Sequence, residues 1–222
     1  MSHFAIAIDG PAASGKSTLA RKLAERLGLV MVNSGAMYRA VTWKALKEGI
    51  EPSDIPAVIG LLEKTRIECG NDRGVSTIRI DGEDPGEGLR SPDVNANVSM
   101  VSAIPEVRAR LIALQRDQLT HSDVVMEGRD IGSVVFPDTP YKIYVDASEE
   151  VRAARRADMG ETDSIRKRDA ADSQRKSSPL IVADGAVVLD NSNHTVETGL
   201  LALLEILRKQ GLDVEALRSR QL

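Results

Sequence analysis

The first part of the chain alternates short apolar runs with longer amphipathic segments. Residues 4–8 form an uninterrupted apolar run, which is typical of a strand that is buried on both faces of a sheet. Residues 17–27 place leucines on one helical face, and Gly28 is a typical helix end. The alternation repeats with a strand predicted at 29–32 and a helix at 36–48. This order predicts an α/β fold, with a parallel sheet flanked by helices.

The pattern breaks over about residues 50–104. Two β-like stretches at 65–69 and 75–80 flank a glycine-containing turn and predict a hairpin, so this insertion should contain a small β region. Residues 81–92 are rich in Gly, Asp, Glu and Pro and are typical of a loop. Residues 91–102 are predicted to be helical.

The α/β pattern then returns, with a further interruption over about residues 152–178. Strands are predicted at 124–126, 142–145 and 187–189, and a last helix closes the chain. We therefore expect a single domain over 1–222, whose core comprises 1–49, 105–151 and 179–222.

Charge and aromatic content narrow the functional classes. The 222 residues carry 29 Lys and Arg against 33 Asp and Glu, a formal net charge of −4. Without an overall positive field, binding to nucleic acid or to an anionic membrane surface is not expected. The 3% aromatic content disfavours base stacking on exposed rings.

The cysteine content and the length of the apolar runs indicate in which cellular compartment the protein is expected. The single cysteine, Cys69, excludes an internal disulfide and a cysteine-cluster metal site. No apolar stretch approaches the ~18 residues of a membrane span. The N-terminal residues lack a signal-peptide pattern, and we expect a cytoplasmic protein.

The clearest motif lies between the first strand and the first helix. It reads G-x-x-x-x-G-K-[ST] and predicts a phosphate-binding loop (P-loop) for a nucleoside triphosphate, in which backbone N–H groups and the helix N-terminus face phosphate oxygens. Lys16 can reach the β- and γ-phosphates and the Ser17 hydroxyl can bind Mg²⁺. The alternative is an ordinary strand-to-helix turn. The residues of the predicted site are Gly10, Pro11, Ala12, Ala13, Ser14, Gly15, Lys16, Ser17 and Thr18.

Other parts of the sequence favour a small-molecule kinase. The chain has no Asn/Thr-Lys-x-Asp motif for guanine recognition, which disfavours a GTP switch. It also has no apolar strand that ends in Asp-Glu, which disfavours an ATP-driven motor. A kinase needs an acceptor pocket and a cationic lid that excludes water. A P-loop regulator without kinase activity stays a candidate.

Two polar clusters follow predicted strands and are candidates for the acceptor pocket. Ser34 is placed at the N-cap of the second helix, and Arg39 lies early enough in that helix to reach a phosphate. Glu127, Arg129 and Asp130 follow the third core strand, where ligands of open α/β sheets gather. The alternatives are a simple cap beside a solvated arginine and a structural Arg–Asp ion pair.

The candidate lid is rich in arginine. Residues 152–176 hold eight basic and five acidic residues, and arginine outnumbers lysine by six to two. Guanidinium groups suit bidentate phosphate contact and can neutralise a transferring phosphoryl group. The alternative is a solvated charged helix face.

Together these motifs resemble those of the bacterial cytidylate kinases, within the nucleoside monophosphate kinase group. The resemblance covers almost the whole chain. It rests on Ile-Asp-Gly-Pro at 8–11, Ser-Gly-Ala-Met-Tyr-Arg at 34–39, Gly-Arg-Asp-Ile-Gly at 128–132 with 134–138, and Arg168-Asp-x-x-Asp172-x-x-Arg175. It implies transfer of the γ-phosphoryl group of ATP to CMP or dCMP with Mg²⁺, by a monomer with an enlarged acceptor insert.

The resemblance also implies roles for individual residues. The CMP phosphate would contact Ser34 and Arg39, with Tyr38 nearby, and also Arg129 and Arg175. Cytosine would be recognised by Ser99, Arg108 and Asp130, and the sugar by Arg168 and Asp172. Catalytic roles fall to Lys16, Arg129, Arg155, Arg156 and Arg175.

Three features depart from the family pattern. Asn33 and Glu127 stand where relatives often carry Asp, and the lid is short between 157 and 164. Asp9 is a candidate for the Mg²⁺ water shell, with a structural turn carboxylate as the alternative. An acceptor other than CMP, such as UMP, stays open.

Overall fold

A seven-stranded sheet forms the centre of the molecule. The computed structural model describes residues 3–158, 170, 172–175 and 178–219. The strand order is β3-β4-β2-β5-β1-β6-β7. The strands are β1 (Ala5–Asp9), β2 (Val30–Asn33), β3 (Ile67–Asp72), β4 (Val75–Ile80), β5 (Val124–Gly128), β6 (Lys142–Asp146) and β7 (Val187–Asp190).

Helices cover both faces of this sheet. They are α1 (Lys16–Leu27), α2 (Ser34–Lys47), α3 (Ile55–Lys64), α4 (Pro92–Val101), α5 (Pro105–His121), α6 (Glu149–Asp158), α7 (Val196–Lys209) and α8 (Val214–Ser219). A 3-10 turn lies at Gly86–Arg90 and a π-helical turn at Ile131–Val135. The predicted parallel α/β core is confirmed.

The central strand β1 has both faces covered, as its apolar run predicts. Ile6 and Ile8 are fully buried in a cluster with Leu23 of α1. Ala5 and Ala7 point to the opposite cluster, which contains residues of β5 and of the π-helical turn. Side chains of a strand alternate between faces, so helices on both sides are needed to bury this run.

The register of the parallel strands brings their carboxyl ends to one edge. Asp9 pairs with Gly128 across β1 and β5, and Asn33 pairs with Glu127 across β2 and β5. The residues after these strands therefore face the same side of the sheet, where ligands of open α/β sheets bind.

The predicted hairpin is present as β3 and β4, and it extends the core sheet. Its strands pair antiparallel from Ile67↔Ile80 to Asp72↔Val75. β4 also pairs parallel with β2 at Met31↔Val75. The β region of the predicted insertion is thus continuous with the central sheet, and the division into core and insertions stays a prediction.

Two short elements were missed by the sequence patterns. The 81–92 segment, predicted as a loop, contains the 3-10 turn at Gly86–Arg90, and the π-helical turn follows β5 directly. Neither is long enough to show helical periodicity. Among the described residues, no helix is long and apolar enough to cross a membrane.

Candidate active site

A cleft of about 950 Å³ opens at the carboxyl ends of the parallel strands. It brings together predicted residues from distant parts of the chain. They are Ala12, Ala13, Gly15, Lys16, Ser17, Thr18, Ser34, Tyr38, Arg39, Ser99, Arg108, Arg129, Asp130, Arg155, Arg156, Asp172 and Arg175. Asp9, Gly10, Pro11 and Ser14 do not line this cleft, and Arg168 lies outside the described residues.

The cleft is basic although the chain is acidic. Ten Lys and Arg side chains line it against six Asp and Glu, whereas the whole chain carries a net charge of −4. A concave surface lined by one sign of charge concentrates its field and attracts ligands of the opposite sign. The cleft is therefore suited to an anionic ligand.

The P-loop folds tightly between β1 and α1. Gly15 has φ +92°, a left-handed conformation that favours glycine, and a Cβ there would collide with the amide of Asn191. Lys16 is 5% exposed and its Nζ donates to the carbonyl of Pro11 at 2.8 Å. The lysine therefore lies across the loop.

Carbonyl oxygens of the P-loop accept hydrogen bonds from three side chains of other segments. Arg152 of α6 donates to the carbonyl of Ala12 at 3.3 Å. Arg155 and the amide of Asn191 both donate to the carbonyl of Ser14, at 3.1 and 2.8 Å. These bonds hold the P-loop in its conformation through its carbonyl oxygens.

The start of α2 corrects one sequence-based prediction. The N-cap is Asn33 and not Ser34, because Asn33 has extended backbone and its side chain accepts from the Ala36 N–H at 3.0 Å. Ser34 is the first helical residue, and its hydroxyl donates to the carbonyl of Glu127 at 2.8 Å. Ser34 thereby ties the beginning of α2 to the end of β5.

A buried carboxylate lies beside the P-loop serine. Glu127 is 4% exposed, and its Oε1 accepts from the Ser17 hydroxyl at 2.9 Å. Hydroxyl and carboxylate oxygens are hard ligands that match Mg²⁺. This donor set fits the magnesium site that the P-loop motif implies.

Arg39 connects α2 to the insertion. Its Nη1 donates to the carbonyl of Leu89, which lies in the 3-10 turn, at 3.0 Å, and to Oδ1 of Asn95 on α4 at 2.6 Å. These contacts hold the guanidinium at the wall of the cleft. Asn95 was not singled out from the sequence.

Arg108 and Asp130 form a buried ion pair on the wall formed by α5 and the end of β5. The Arg108 side chain is 2% exposed and that of Asp130 5%. Arg108 also donates to the carbonyl of Ser102 and lies 5.3 Å from the ring centre of Tyr38. Burial raises the pKa of Tyr38 from 10.0 to about 12, which keeps its hydroxyl protonated well above pH 7.

A second charged group lies beside this pair. Asp172 accepts from Arg129 Nε at 2.8 Å through one carboxylate oxygen and from Arg175 Nη2 through the other. Burial lowers the pKa of Arg175 and the neighbouring Asp172 opposes this effect. One carboxylate thus holds two guanidinium groups side by side at the cleft.

Asp9 is buried and is not among the residues that line the cleft. It is 4% exposed, and its two oxygens accept from the N–H groups of Ile131 and Gly132 at 2.8 Å each. Burial raises its pKa to about 6, against the lowering effect of these bonds. These contacts match the structural alternative for Asp9, and a role in the Mg²⁺ water shell stays a prediction.

Asn191 is a site residue that the sequence patterns missed. It follows β7, its N–H donates to the carbonyl of Asp146, and its own carbonyl accepts from Arg155 at 2.8 Å. Its position after a parallel strand was the available indication. It belongs to no motif, so nothing else marked it.

Comparison with known proteins identifies the family. The family model for cytidylate kinase matches residues 6–209. The cytidylate kinase of Streptomyces avermitilis is 45% identical over 201 residues, which cover 86% of this chain and 87% of the relative. That of Caldanaerobacter subterraneus subsp. tengcongensis is 42% identical over 215 residues, with 92% and 94% coverage. That of Clostridium botulinum strain Loch Maree is 40% identical over 220 residues, with 94% and 100% coverage.

The match extends over the P-loop, the residues that follow β2 and β5, and the charged group around Asp172. It therefore covers every wall of the cleft described above. The chain belongs to the cytidylate kinase family.

Proposed function

We propose that this protein is a cytidylate kinase, which transfers the γ-phosphoryl group of ATP to CMP or dCMP and releases CDP or dCDP with ADP. One observation carries the assignment to a cytosine nucleotide: the P-loop and the buried Arg108–Asp130 pair line the same cleft. The carboxylate of Asp130 can accept from the cytosine N4 amino group, and Arg108 can donate to the ring acceptors.

The donor side of the cleft suits a nucleoside triphosphate with magnesium. The P-loop N–H groups and Lys16 would hold the β- and γ-phosphates. Ser17 would bind Mg²⁺, with Glu127 next to it at 2.9 Å. When bound, the ion neutralises phosphate charge. Arg155 and Arg156 line the same cleft and would contact the donor phosphates, for which Arg155 would exchange its bonds to the Ser14 and Asn191 carbonyls.

The acceptor side offers three guanidinium groups and a hydroxyl to the CMP phosphate. Ser34 and Arg39 line the cleft near the start of α2, and Arg129 and Arg175 line it beside Asp172. Within the described part of the chain, the buried Nε atoms of Arg108 and Arg175 have no hydrogen-bond partner. Buried donors of this kind are costly unless a ligand satisfies them. An acceptor-rich nucleotide supplies what they lack.

The transfer is a direct in-line displacement. An oxygen of the CMP phosphate attacks Pγ, and a new P–O bond forms while the bond from Pγ to the ADP oxygen breaks with its electron pair left on ADP. The attacking oxygen is already anionic, so no strong general base is required. Lys16, Arg129 and Arg175 orient the two phosphates and spread the developing charge.

A coupled assay of ADP release with CMP, dCMP and UMP tests this function. We expect CMP or dCMP to stimulate ADP release well above the rate with ATP alone. UMP should be a poor acceptor, because its O4 carbonyl would face the Asp130 carboxylate without a proton between them. Equal use of UMP would favour the alternative acceptor, and ATP binding without transfer to any of these acceptors would favour a regulator.

A pair of lysine variants distinguishes the loss of Lys16 from the P-loop from the loss of one positive charge elsewhere on the protein. Lys16→Met should abolish transfer, since it removes the loop cation. Lys209→Met removes a lysine that is 74% exposed and pairs with Glu205, away from the cleft, and should keep the wild-type rate.

We also propose that the protein acts as a cytoplasmic monomer on small molecules, without a nucleic-acid or membrane partner. The net charge of −4 supports the absence of a nucleic-acid or anionic-membrane partner, because the chain as a whole has no positive field. Light scattering coupled to gel filtration should give the 24.0 kDa mass of one chain.

A further inference from the structure

Asp9 ends the central strand immediately before the P-loop, yet both of its carboxylate oxygens are used by another segment. Oδ1 accepts from Ile131 N and Oδ2 from Gly132 N, both at 2.8 Å. The side chain is buried, so these bonds are formed away from water. A carboxylate bound to N–H donors makes charge-assisted hydrogen bonds, which are stronger than neutral ones.

The two N–H groups begin the π-helical turn at Ile131–Val135. The first N–H groups of a helical turn have no partner inside the turn and need an external acceptor. The other end of the turn is closed internally, because the Asp130 carbonyl accepts from Val134 N at 2.9 Å and from Val135 N at 3.2 Å. Asp9 therefore supplies the contacts that the turn cannot make for itself.

The Ile131 N–H belongs to the same rigid peptide plane as the Asp130 carbonyl. When Asp9 fixes this N–H, it fixes the peptide that follows Asp130 and limits how the Asp130 side chain can be presented to Arg108. The approach is also close, since a Cβ on Gly132 would lie 3.4 Å from Oδ2 of Asp9 and 3.3 Å from the Lys142 side chain. The turn thus packs closely against Asp9 and the Lys142 side chain.

We propose that Asp9 is a positioning residue for recognition of the cytosine base. It holds the Ile131 and Gly132 amides and so keeps Asp130 in the orientation that receives the cytosine. Asp9 does not touch the nucleotide. It directly precedes Gly10, the first residue of the P-loop, so it connects the P-loop to the π-helical turn that follows Asp130. This inference rests on the proposed function of the cleft as a CMP site.

The test is CMP binding to Asp9→Asn by titration calorimetry, in EDTA and without ATP. Replacement by an amide turns one acceptor into a donor that faces an N–H group, and we expect CMP to bind about tenfold more weakly. In steady-state kinetics KM for CMP should rise more than KM for ATP. The preference for CMP over UMP should also fall, because a loosened Asp130 discriminates less well.

Asp146→Asn is the matched control. Asp146 also ends a parallel strand, and its Oδ1 accepts from the Ala147 N–H at 2.8 Å, but it does not line the cleft. This variant should bind CMP within about twofold of the wild type, which is the usual effect of a substitution outside a site.

Each outcome bears on a different claim. If the wild type binds CMP and Asp9→Asn binds it equally well in EDTA, the positioning role is wrong. A binding defect of Asp9→Asn that appears only with Mg²⁺ would instead indicate a role for Asp9 in the Mg²⁺ water shell. If the wild type itself binds no CMP, the proposed function fails together with this inference.

Amide hydrogen exchange in the wild-type protein tests the same contacts without requiring that a variant folds. The Ile131 and Gly132 amide hydrogens should be protected in the ligand-free protein, with and without Mg²⁺. Rapid exchange at both amides would overturn the proposal.

Discussion

Arg108 and Asp130 are bonded to each other where almost no water reaches either side chain, at 2% and 5% exposure. A buried charge without its partner is costly, whereas two buried charges in good geometry compensate each other. The pair therefore links the stability of the fold to the recognition of the base. This link allows the two contributions to be separated by substitution.

Asp130→Ala should lower both stability and CMP use. It leaves the Arg108 guanidinium buried and unpaired, and we expect a loss of about 3–5 kcal/mol in the free energy of unfolding. ATP binding should change far less than CMP binding. Urea unfolding and nucleotide titrations measure the two effects.

The double variant Arg108→Ala with Asp130→Ala serves as the control. With both charges removed, part of the lost stability should return while CMP use stays low. If CMP use returned with stability, the pair would be structural and would not read the base.

Asn191→Asp should weaken the donor site selectively. The amide of Asn191 donates to the Ser14 carbonyl, and a carboxylate in its place would face that oxygen without a proton. An unmade bond of this kind costs about 1–3 kcal/mol, so KM for ATP should rise roughly five- to 150-fold while KM for CMP stays nearly constant. Steady-state kinetics at saturating co-substrate measures both constants.

Asn193→Asp is the companion variant, because Asn193 lies in the same connection after β7 and is exposed. It introduces the same charge without touching the P-loop. Equal changes in KM for ATP in the two variants would point to a general effect of charge, contrary to our expectation.

Asp9 should make stability depend on pH. Its pKa rises from 3.8 in the unfolded chain to about 6 in the fold, so the folded protein binds this proton more tightly. The stability gained from this proton is fully present below pH 3.8 and is lost as pH rises through 6. The two-unit shift corresponds to roughly 3 kcal/mol.

Urea unfolding of the wild type and of Asp9→Asn between about pH 4 and about pH 7 checks this sign. The stability of the wild type relative to the variant should decline as pH rises. A constant difference across this interval would show that Asp9 does not titrate as described.

Cys69 should react slowly with thiol reagents. Burial raises the pKa of its thiol to about 11, and the thiolate is the reactive form. Near pH 8, alkylation should be on the order of a hundredfold slower than that of a model thiol. The reaction can be followed by mass spectrometry.

The same reaction in denaturing urea is the reference, since the unfolded chain exposes the thiol. A rate in the native protein equal to that in urea would mean that Cys69 is open to solvent.

Local patterns in the sequence predicted most of the fold. The apolar run before Gly10 and the leucine face of residues 17–27 each encode one element, because burial on two faces and burial on one face leave different periodicities. The P-loop was recognisable for the same reason, since its residues are contiguous. These features require no knowledge of distant contacts.

The rest of the site depends on contacts between distant segments. Asn191 reaches the P-loop and Asp9 reaches Ile131 only after the sheet has formed. The N-cap of α2 was misplaced by one position because Asn33 and Ser34 both suit an N-cap, and the choice depends on the bond from Ser34 to Glu127.

The strand order has a consequence for the sequence of events during folding. β1 is made first, but its sheet partners are β5 and β6, which begin at Val124 and Lys142. On a ribosome, the first strand therefore waits unpaired until more than half of the chain has been synthesised. Such long-range pairing is slow to form. The nucleotide loop thus gains its supporting strands late, and a truncated nascent chain that contains the whole motif lacks the sheet that shapes it.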